Sequence, residues 1–161
     1  EELLSFVRIP RTPEQMASFY VARGFAVAII DELTQHCCFT VVIKNKSKNI
    51  VWLDMYQWHF IAGEKTGEQE VRRIPRSYWP PKWTAMHIPM SAQSTFRWTL
   101  LPEKLDFQPD ESEGGNVILE RTENSFSLMA QFGLGQTRQD GVRVVRINNL
   151  QCASSLGKGE P

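Results

Sequence analysis

The chain lacks a long apolar run, an excess of charge of either sign, and any regular spacing of glycine and proline. No stretch of about 18 apolar residues occurs, which excludes a membrane-spanning helix. Lysine and arginine number 18, as do aspartate and glutamate, so whole-molecule attraction to nucleic acid or to an anionic membrane is not expected. Ten glycines and nine prolines without a period exclude a collagen-like fibre. The sequence therefore predicts a single globular domain over residues 1–161.

Cysteine is also scarce, with three residues at positions 37, 38 and 152. The plain interpretation is three buried or free thiols. The alternative is a disulfide between one of the adjacent pair and Cys152, which would indicate an oxidising compartment such as a periplasm. The sequence leaves both interpretations open.

The clearest local pattern is Thr12-Pro13-Glu14-Gln15, which predicts a helix start. It combines an N-cap hydroxyl, a proline at the first helical position, an early carboxylate and a capping-box glutamine. A second short helix is predicted over about 26–34. The two helices form a helical hairpin, residues 12–34, which needs an apolar surface to pack against.

After position 37 the apolar period changes from about 3.6 to 2, and extended segments are predicted within residues 38–149, interrupted by one long irregular stretch. Phe39, Val41 and Ile43 share one face of the first strand, which is expected to form a hairpin with the next. Residues 61–82 contain glycines, prolines and charges and are predicted to be a long loop. Residues 153–161 are predicted to be a flexible tail. Strands are predicted over 50–59, 83–88, 95–101, 116–121, 126–132 and 142–149. Gly114-Gly115 is predicted to form a turn. In the 126–132 strand the residues predicted to point inward are Phe126, Leu128, Ala130 and Phe132.

Parts of this region resemble bacterial immunoglobulin-like domains. The resemblance rests on the segment Phe39–Ser47 and on Leu100-Leu101-Pro102 leading into a strand that starts at a glycine pair, Gly114-Gly115. It covers roughly residues 38–149 and implies a fold without implying an activity. The predicted fold class is therefore mainly β, an immunoglobulin-like antiparallel β-sandwich with a short N-terminal helical hairpin.

The long loop carries basic and aromatic residues in alternation, which favours binding of a partner. Tryptophan, tyrosine and arginine dominate binding hot spots, provided that they are exposed. The structural alternative is that the aromatic rings fold back as a small core while the arginines stay solvated. The predicted partner-binding residues are Arg72, Arg73, Arg76, Tyr78, Trp79 and Trp83.

A metal site is the alternative from another functional class. Imidazole, thioether and thiolate ligands suit copper or zinc, and the candidate ligands are His87, Met90 and Cys37. The same alternative includes a hydrolytic enzyme centred on His87 with Cys37 or Cys38. Against it, no CxxC or HxxxH spacing occurs, and Cys37 and Met90 also suit a core.

We therefore expect a non-catalytic binding or accessory module of the bacterial cell envelope, without a cofactor, that contacts a protein or glycan partner through the 61–82 loop. No nucleic-acid partner and no membrane span are expected. The expected location is a periplasm or a cell surface, and a lipid anchor upstream of Glu1 would be compatible with it. A structural accessory within a larger assembly would instead show an exposed strand edge or apolar patch.

Overall fold

The computed structural model describes residues 4–63 and 67–155, which form antiparallel β-sheets accompanied by four helices. The strands are β1 Leu4–Arg11, β2 Cys37–Asn45, β3 Val51–Asp54, β4 Trp58–Ala62, β5 Gln69–Glu70, β6 Lys104–Phe107, β7 Ser112–Leu119, β8 Phe126–Leu134 and β9 Gly141–Leu150. The helices are α1 Pro13–Val21, α2 Val27–Leu33, α3 Trp79–Ala85 and α4 Met90–Trp98.

The strands form two sheets. Sheet A has the order β1-β2-β7, and sheet B has the order β5-β4-β8-β3-β6, with β9 also paired to β8. Strands β3 and β4 both pair with β8 and are separated by one short 3-10 turn at residues 55–57. Every pairing between these strands is antiparallel.

The inter-sheet core fills the space between sheets A and B. Phe39, Val41 and Ile43 point into it from β2, as predicted, because their period of 2 places them on one face of the strand. Sheet B supplies the opposite wall with alternate residues of β8, which were also predicted to point inward: Phe126, Leu128, Ala130 and Phe132.

The helical core lies on the other face of sheet A, where the four helices pack. Cys38 and Ile118 contribute from the sheet. The helices contribute mainly large side chains, among them Met16, Tyr20, Leu33, Trp79, Trp83 and Phe96. The molecule therefore has three layers, in the order helices, sheet A, sheet B.

Helix α1 begins as the sequence predicts. The Thr12 side chain accepts a hydrogen bond from the Gln15 N–H at 3.0 Å, and the Gln15 side chain accepts one from the Thr12 N–H at 2.8 Å. This reciprocal pair is a complete capping box. Both helices predicted in this region are present, and their apolar faces pack in the helical core.

The hairpin predicted after β2 is wrong, because β2 and β3 belong to different sheets. The chain turns around Asn45, whose buried side chain donates hydrogen bonds to the carbonyls of Asn49 at 2.7 Å and Phe107 at 3.0 Å. These bonds hold a corner that leads from sheet A to sheet B. The sequence shows that a turn is present, but the two strands that it joins find their partners elsewhere.

The strands predicted at 83–88 and 95–101 are also wrong, since α3 and α4 occupy this region. Pro80 and Pro81 stand in the first turn of α3, where a missing N–H costs no helical hydrogen bond. In α4 the alternation of Phe96 and Trp98 does not reflect a strand, because Phe96 is buried whereas Trp98 is 80% exposed. Two helices thus lie between strands where the predicted sandwich has none, and the immunoglobulin-like arrangement is not confirmed.

The glycine pair predicted to form a turn lies inside β7. At Gly115 a Cβ atom would lie 2.5 Å from the Leu101 backbone nitrogen, so the crossing chain leaves no room for a side chain. The same close approach is reflected in the hydrogen bond from the Leu101 N–H to the Asn116 carbonyl, 3.1 Å.

Cys37 and Cys152 form a disulfide, and Cys38 is a buried free cysteine. The interpretation of three free or buried thiols is therefore wrong for two of them. The bond ties the start of β2 to the chain after β9. After Cys152, the Ala153 carbonyl accepts a hydrogen bond from Arg121, and the Ser155 hydroxyl donates one to the Glu14 carboxylate. Residues 153–155 of the predicted flexible tail are therefore anchored. The remainder of that tail, 156–161, and residues 64–66 of the predicted loop lie outside the described residues.

Candidate functional site

Trp79 and Trp83, the two tryptophans predicted to meet a partner, lie in the helical core. Each is 1% exposed. Their rings stack at 5.0 Å between centroids, and both contact Phe96 at 5.3 and 5.4 Å. Their spacing of four residues on α3 turns both rings toward sheet A. The prediction that these rings become buried against a partner is therefore wrong, and the structural alternative describes them correctly.

Two of the three arginines predicted to orient a partner instead fasten the loop to the rest of the chain. The Arg73 guanidinium donates two hydrogen bonds to the Glu103 carboxylate at 2.8 and 2.9 Å, a bidentate ion pair. Arg76 donates its backbone N–H to Glu103 at 2.9 Å and its side chain to the Leu100 carbonyl at 2.8 Å. Neither arginine is solvated as the structural alternative expects.

The remaining two predicted residues are closer to the surface. Tyr78 is half-buried and lies edge-on to Trp79, with ring centroids 4.9 Å apart. Arg72 is exposed, and its backbone N–H donates to Glu120 at 2.7 Å. The six residues therefore do not form the exposed aromatic and basic patch that the sequence predicts.

The predicted metal ligands do not form a site either. Cys37 is in the disulfide, so its sulfur is not a free thiolate. His87 is exposed, and Met90 is 71% exposed. Over residues 4–63 and 67–155 no group of three or more His, Cys, Asp or Glu side chains is arranged to hold a metal ion.

The nucleophile predicted for a hydrolytic enzyme is also unsuitable. Burial raises the pKa of the Cys38 thiol to about 12, so that the neutral thiol dominates near pH 7. The neighbouring His36 does not activate it, because its Nδ1 lies 3.1 Å from the Glu32 carbonyl and its ring contacts Trp79. Burial also lowers the pKa of His36.

A further surface, which the sequence did not predict, lies on the outer face of sheet A, the face that points away from sheet B. The helices cover only the end of this face around Cys38 and Ile118. Val7, Ile9 and Val42 are left 46%, 39% and 40% exposed, and we call these three residues the open strip.

The register of β1 and β2 shows that the open strip is continuous. Val7 is paired directly with Val42, and Ile9 follows on the same face two residues along β1. Three neighbouring branched apolar side chains on one sheet face differ from apolar residues scattered singly over a surface. The alternation of Val7 and Ile9 with Arg8 and Pro10 is the sequence signal that could have predicted this strand.

Lysine and arginine residues lie at the two ends of the open strip. Lys44, which is exposed, follows Val42 on the same face of β2, and Arg11 follows Ile9 on the same face of β1. A basic side chain therefore lies at each end of the strip.

A cleft of about 520 Å³ adjoins the open strip between α1 and sheet A. We call it the α1 cleft. It borders the strip directly, because Thr40, which lines the cleft, is paired with Ile9. Its lining includes Arg11, Tyr20, Cys38, Thr40 and Asn116, which we call its floor, and also Glu14, Gln15 and Ser18 of α1.

The polar side chains of the cleft form one directed chain of hydrogen bonds. Arg11 Nε donates to Thr40 Oγ1 at 2.9 Å, and Thr40 Oγ1 donates to Asn116 Oδ1 at 2.8 Å. Asn116 Nδ2 then donates to the Tyr20 hydroxyl at 3.2 Å. Thr99 Oγ1 donates to a backbone carbonyl at 2.6 Å, so the Tyr20 hydroxyl must be the donor in its 2.8 Å bond to Thr99. Such a satisfied network holds the floor of the cleft in one arrangement.

The Tyr20 phenol and the Cys38 thiol in the floor of the cleft are held in the protonated state near neutral pH. Burial raises the pKa of the Tyr20 phenol to about 12, although its hydrogen bond with Thr99 acts in the opposite direction. The Cys38 thiol is neutral for the same reason. General acid–base catalysis needs a group that exchanges protons near the working pH. These floor residues are therefore better suited to binding than to proton transfer.

Among the described residues, the most exposed aromatic side chain belongs to the end of α4. Trp98 is 80% exposed at the end of α4. The next residue, Thr99, accepts a backbone hydrogen bond from Asn116 at 2.9 Å, which places the end of α4 beside β7.

No protein-family model matches the chain, and neither a curated protein nor a solved structure shows significant similarity to it. Among the described residues no helix has the length and apolarity needed to cross a membrane.

Proposed function

We propose that this protein is a non-catalytic binding or accessory module that contacts a partner protein through the open strip of sheet A. The observation that carries the proposal is the exposure of Val7, Ile9 and Val42 as one continuous apolar surface. This surface replaces the aromatic and basic loop as the binding surface, because the tryptophans of that loop lie in the core.

The chemistry of the strip favours a protein over a glycan. Branched aliphatic side chains offer no flat aromatic face on which a sugar ring can stack, but they pack well against apolar side chains. The positive charges of Lys44 and Arg11 at the ends of the strip complement carboxylates. The partner is therefore an extended apolar segment flanked by acidic residues.

The compartment proposed is a periplasm or a cell surface. The disulfide between Cys37 and Cys152 supports it, since such bonds persist in oxidising environments. Mass spectrometry of the protein isolated from its source cells with its thiols blocked tests this. The disulfide-linked peptide is expected, and recovery of both cysteines as blocked thiols would contradict the location.

The binding proposal is tested with a synthetic peptide in which three valines alternate with threonines between pairs of glutamates. Heteronuclear NMR is expected to show saturable shifts at Val7, Ile9 and Val42. Replacing all three by threonine should weaken binding about tenfold or more, because the apolar contact is lost while the β-branched shape is kept.

The matched control replaces Val142 and Val144 by threonine. These residues are 60% and 46% exposed on β9, at the edge of sheet B, and should not affect binding. The proposal is contradicted if this control weakens binding equally or if the shifts cluster elsewhere. It is also contradicted if a peptide flanked by lysines binds as tightly.

A further inference from the structure

A second cavity, of about 200 Å³, lies between α3 and α4. Trp79, Trp83 and Phe96 line it, together with Arg76 and Arg97. The α1 cleft is lined by none of these residues, so this cavity is a separate feature.

Three of the residues that line this cavity each carry a buried hydrogen-bond donor without an acceptor. The Nε1 atoms of Trp79 and Trp83 and the Nε atom of Arg76 are buried and have no hydrogen-bond partner among the described residues. The one other buried side-chain donor of this kind in that part of the chain is Trp58 Nε1, in the inter-sheet core. Buried N–H groups are normally paired, so three unpaired donors around one cavity call for an acceptor that the chain does not supply.

The charge of the cavity indicates what kind of acceptor fits. Two arginines line it, and no aspartate or glutamate of the described chain does. Arg76 is held in place because it donates to the Leu100 carbonyl at 2.8 Å, while Arg97 is exposed at the edge. Burial, and after it the neighbouring charge of Arg97, lowers the pKa of Arg76. A carboxylate would offer acceptors to the donors and would balance the paired positive charges.

The remaining wall is apolar and indicates the body of the ligand. Phe96, Leu100 and the tryptophan rings provide aromatic and aliphatic contacts. A cavity of about 150 Å³ holds a benzene molecule. A volume of about 200 Å³ therefore accommodates one ring, or a short aliphatic chain, together with a carboxylate.

We propose that the cavity between α3 and α4 binds a small monocarboxylic acid, with its carboxylate toward Arg76, Arg97 and the indole N–H groups and its apolar body against Phe96 and Leu100. The indole nitrogens are closed to solvent, so the rings must shift slightly as the acid enters. The proposal is independent of the proposed function, because the open strip and this cavity share no residue.

Benzoate is the probe, and the indole N–H signals of Trp79 and Trp83 in heteronuclear NMR are the readout. Both signals are expected to shift in a saturable way, because each N–H gains an acceptor. Benzamide has the same ring without the charge and should bind about tenfold more weakly.

Arg97→Gln tests the charge without disturbing the core, since Arg97 is exposed. It should weaken benzoate binding about tenfold. Arg72→Gln is the matched control, because Arg72 is exposed, does not line the cavity and should leave binding unchanged. Ser94→Leu is expected to fill the cavity and abolish binding, and an unchanged melting temperature would show that the protein still folds.

The proposal is overturned if neither indole signal shifts up to millimolar benzoate, or if benzamide binds as tightly as benzoate. It is equally overturned if Arg97→Gln and Arg72→Gln have the same effect. A further probe is a tripeptide with a C-terminal phenylalanine and a free carboxylate. If it binds more tightly than benzoate, the ligand is a peptide C-terminus, and the proposal of a small monocarboxylic acid is overturned.

Discussion

The two cores on opposite faces of sheet A differ in composition and in origin. The inter-sheet core is built mainly from aliphatic and phenylalanine side chains of paired strands. The helical core is also mainly aliphatic, but it contains Tyr20 and the stacked pair Trp79 and Trp83, which come from short helices. The adjacent residues Cys37 and Cys38 show the division, because one side chain enters each core. One is in the disulfide and the other is a free thiol.

The cores also differ in how their polar atoms are satisfied. The inter-sheet core contains one unpaired donor among the described residues, Trp58 Nε1. The helical core contains the two unpaired indoles of Trp79 and Trp83, and Tyr20 joins it to the polar floor of the α1 cleft. Both cavities considered above border the helical core. The difference matters for the acid site proposed above, because that proposal rests on the unpaired indole donors of the helical core.

The largest effect is expected from removing the disulfide that closes the inter-sheet core. The bond links residues 115 positions apart, so replacing Cys37 and Cys152 by alanine frees a long loop in the unfolded chain. Chain entropy predicts a loss of about 4.7 kcal/mol in the free energy of unfolding, measured by urea denaturation. Reduction of the wild-type protein should have a similar effect. A loss of less than about 1 kcal/mol would show that the core does not depend on this bond.

A somewhat smaller effect, about 4 kcal/mol, is expected for Trp83→Ala in the helical core. The loss should be concentrated in the helical layer, because sheet A keeps its packing against sheet B. Hydrogen exchange is therefore expected to accelerate in α3 and α4 more than in β8. Phe132→Ala, in the inter-sheet core, is the matched variant and should accelerate exchange in both layers. Equal acceleration in both layers with Trp83→Ala would mean that the two cores unfold as one.

The smallest effect concerns pH and distinguishes Cys38 from its disulfide-bonded neighbour. The thiol pKa is 9.0 when unperturbed and about 12 in the folded protein, so between these values only the unfolded chain loses the proton. The contribution of the protonated Cys38 thiol to the free energy of unfolding is therefore complete below about pH 9 and is lost as the pH rises toward about 12. Between about pH 8 and pH 10 it should fall by about 1.4 kcal/mol.

Urea denaturation of the wild type and of Cys38→Ala at both pH values checks this prediction. The variant should show a shallower decline in the free energy of unfolding, whatever its absolute stability. Parallel declines would mean that the Cys38 thiol ionises as easily in the folded protein as in the unfolded one.

The sequence was informative wherever a short pattern determines local structure. The capping box at Thr12 and Gln15 predicted the start of α1, because its two hydrogen bonds join residues three positions apart. The alternation of Phe39, Val41 and Ile43 predicted which face of β2 is buried. It could not show that β2 pairs with β1 and β7 rather than with β3, since pairing depends on residues far apart in the chain.

The candidate site was predicted less well. Trp79 and Trp83 resembled a binding surface because their residue types are common in hot spots, but residue type does not determine exposure. Their spacing of four residues was the available signal for a buried helical face. The open strip was missed because Val7 and Val42 are 35 positions apart and become neighbours only when β1 pairs with β2.

The sequence by itself determined the capped first helix, the period of β2 and the inward faces of β2 and β8. Only the tertiary structure decided which strands pair and which two cysteines form the disulfide. It also decided that α3 and α4 lie on sheet A beside α1 and α2, and that the rest of the outer face of the sheet stays open. The physical reason is that a period or a cap acts between residues a few positions apart. Burial against a particular neighbour depends instead on how distant segments pack together.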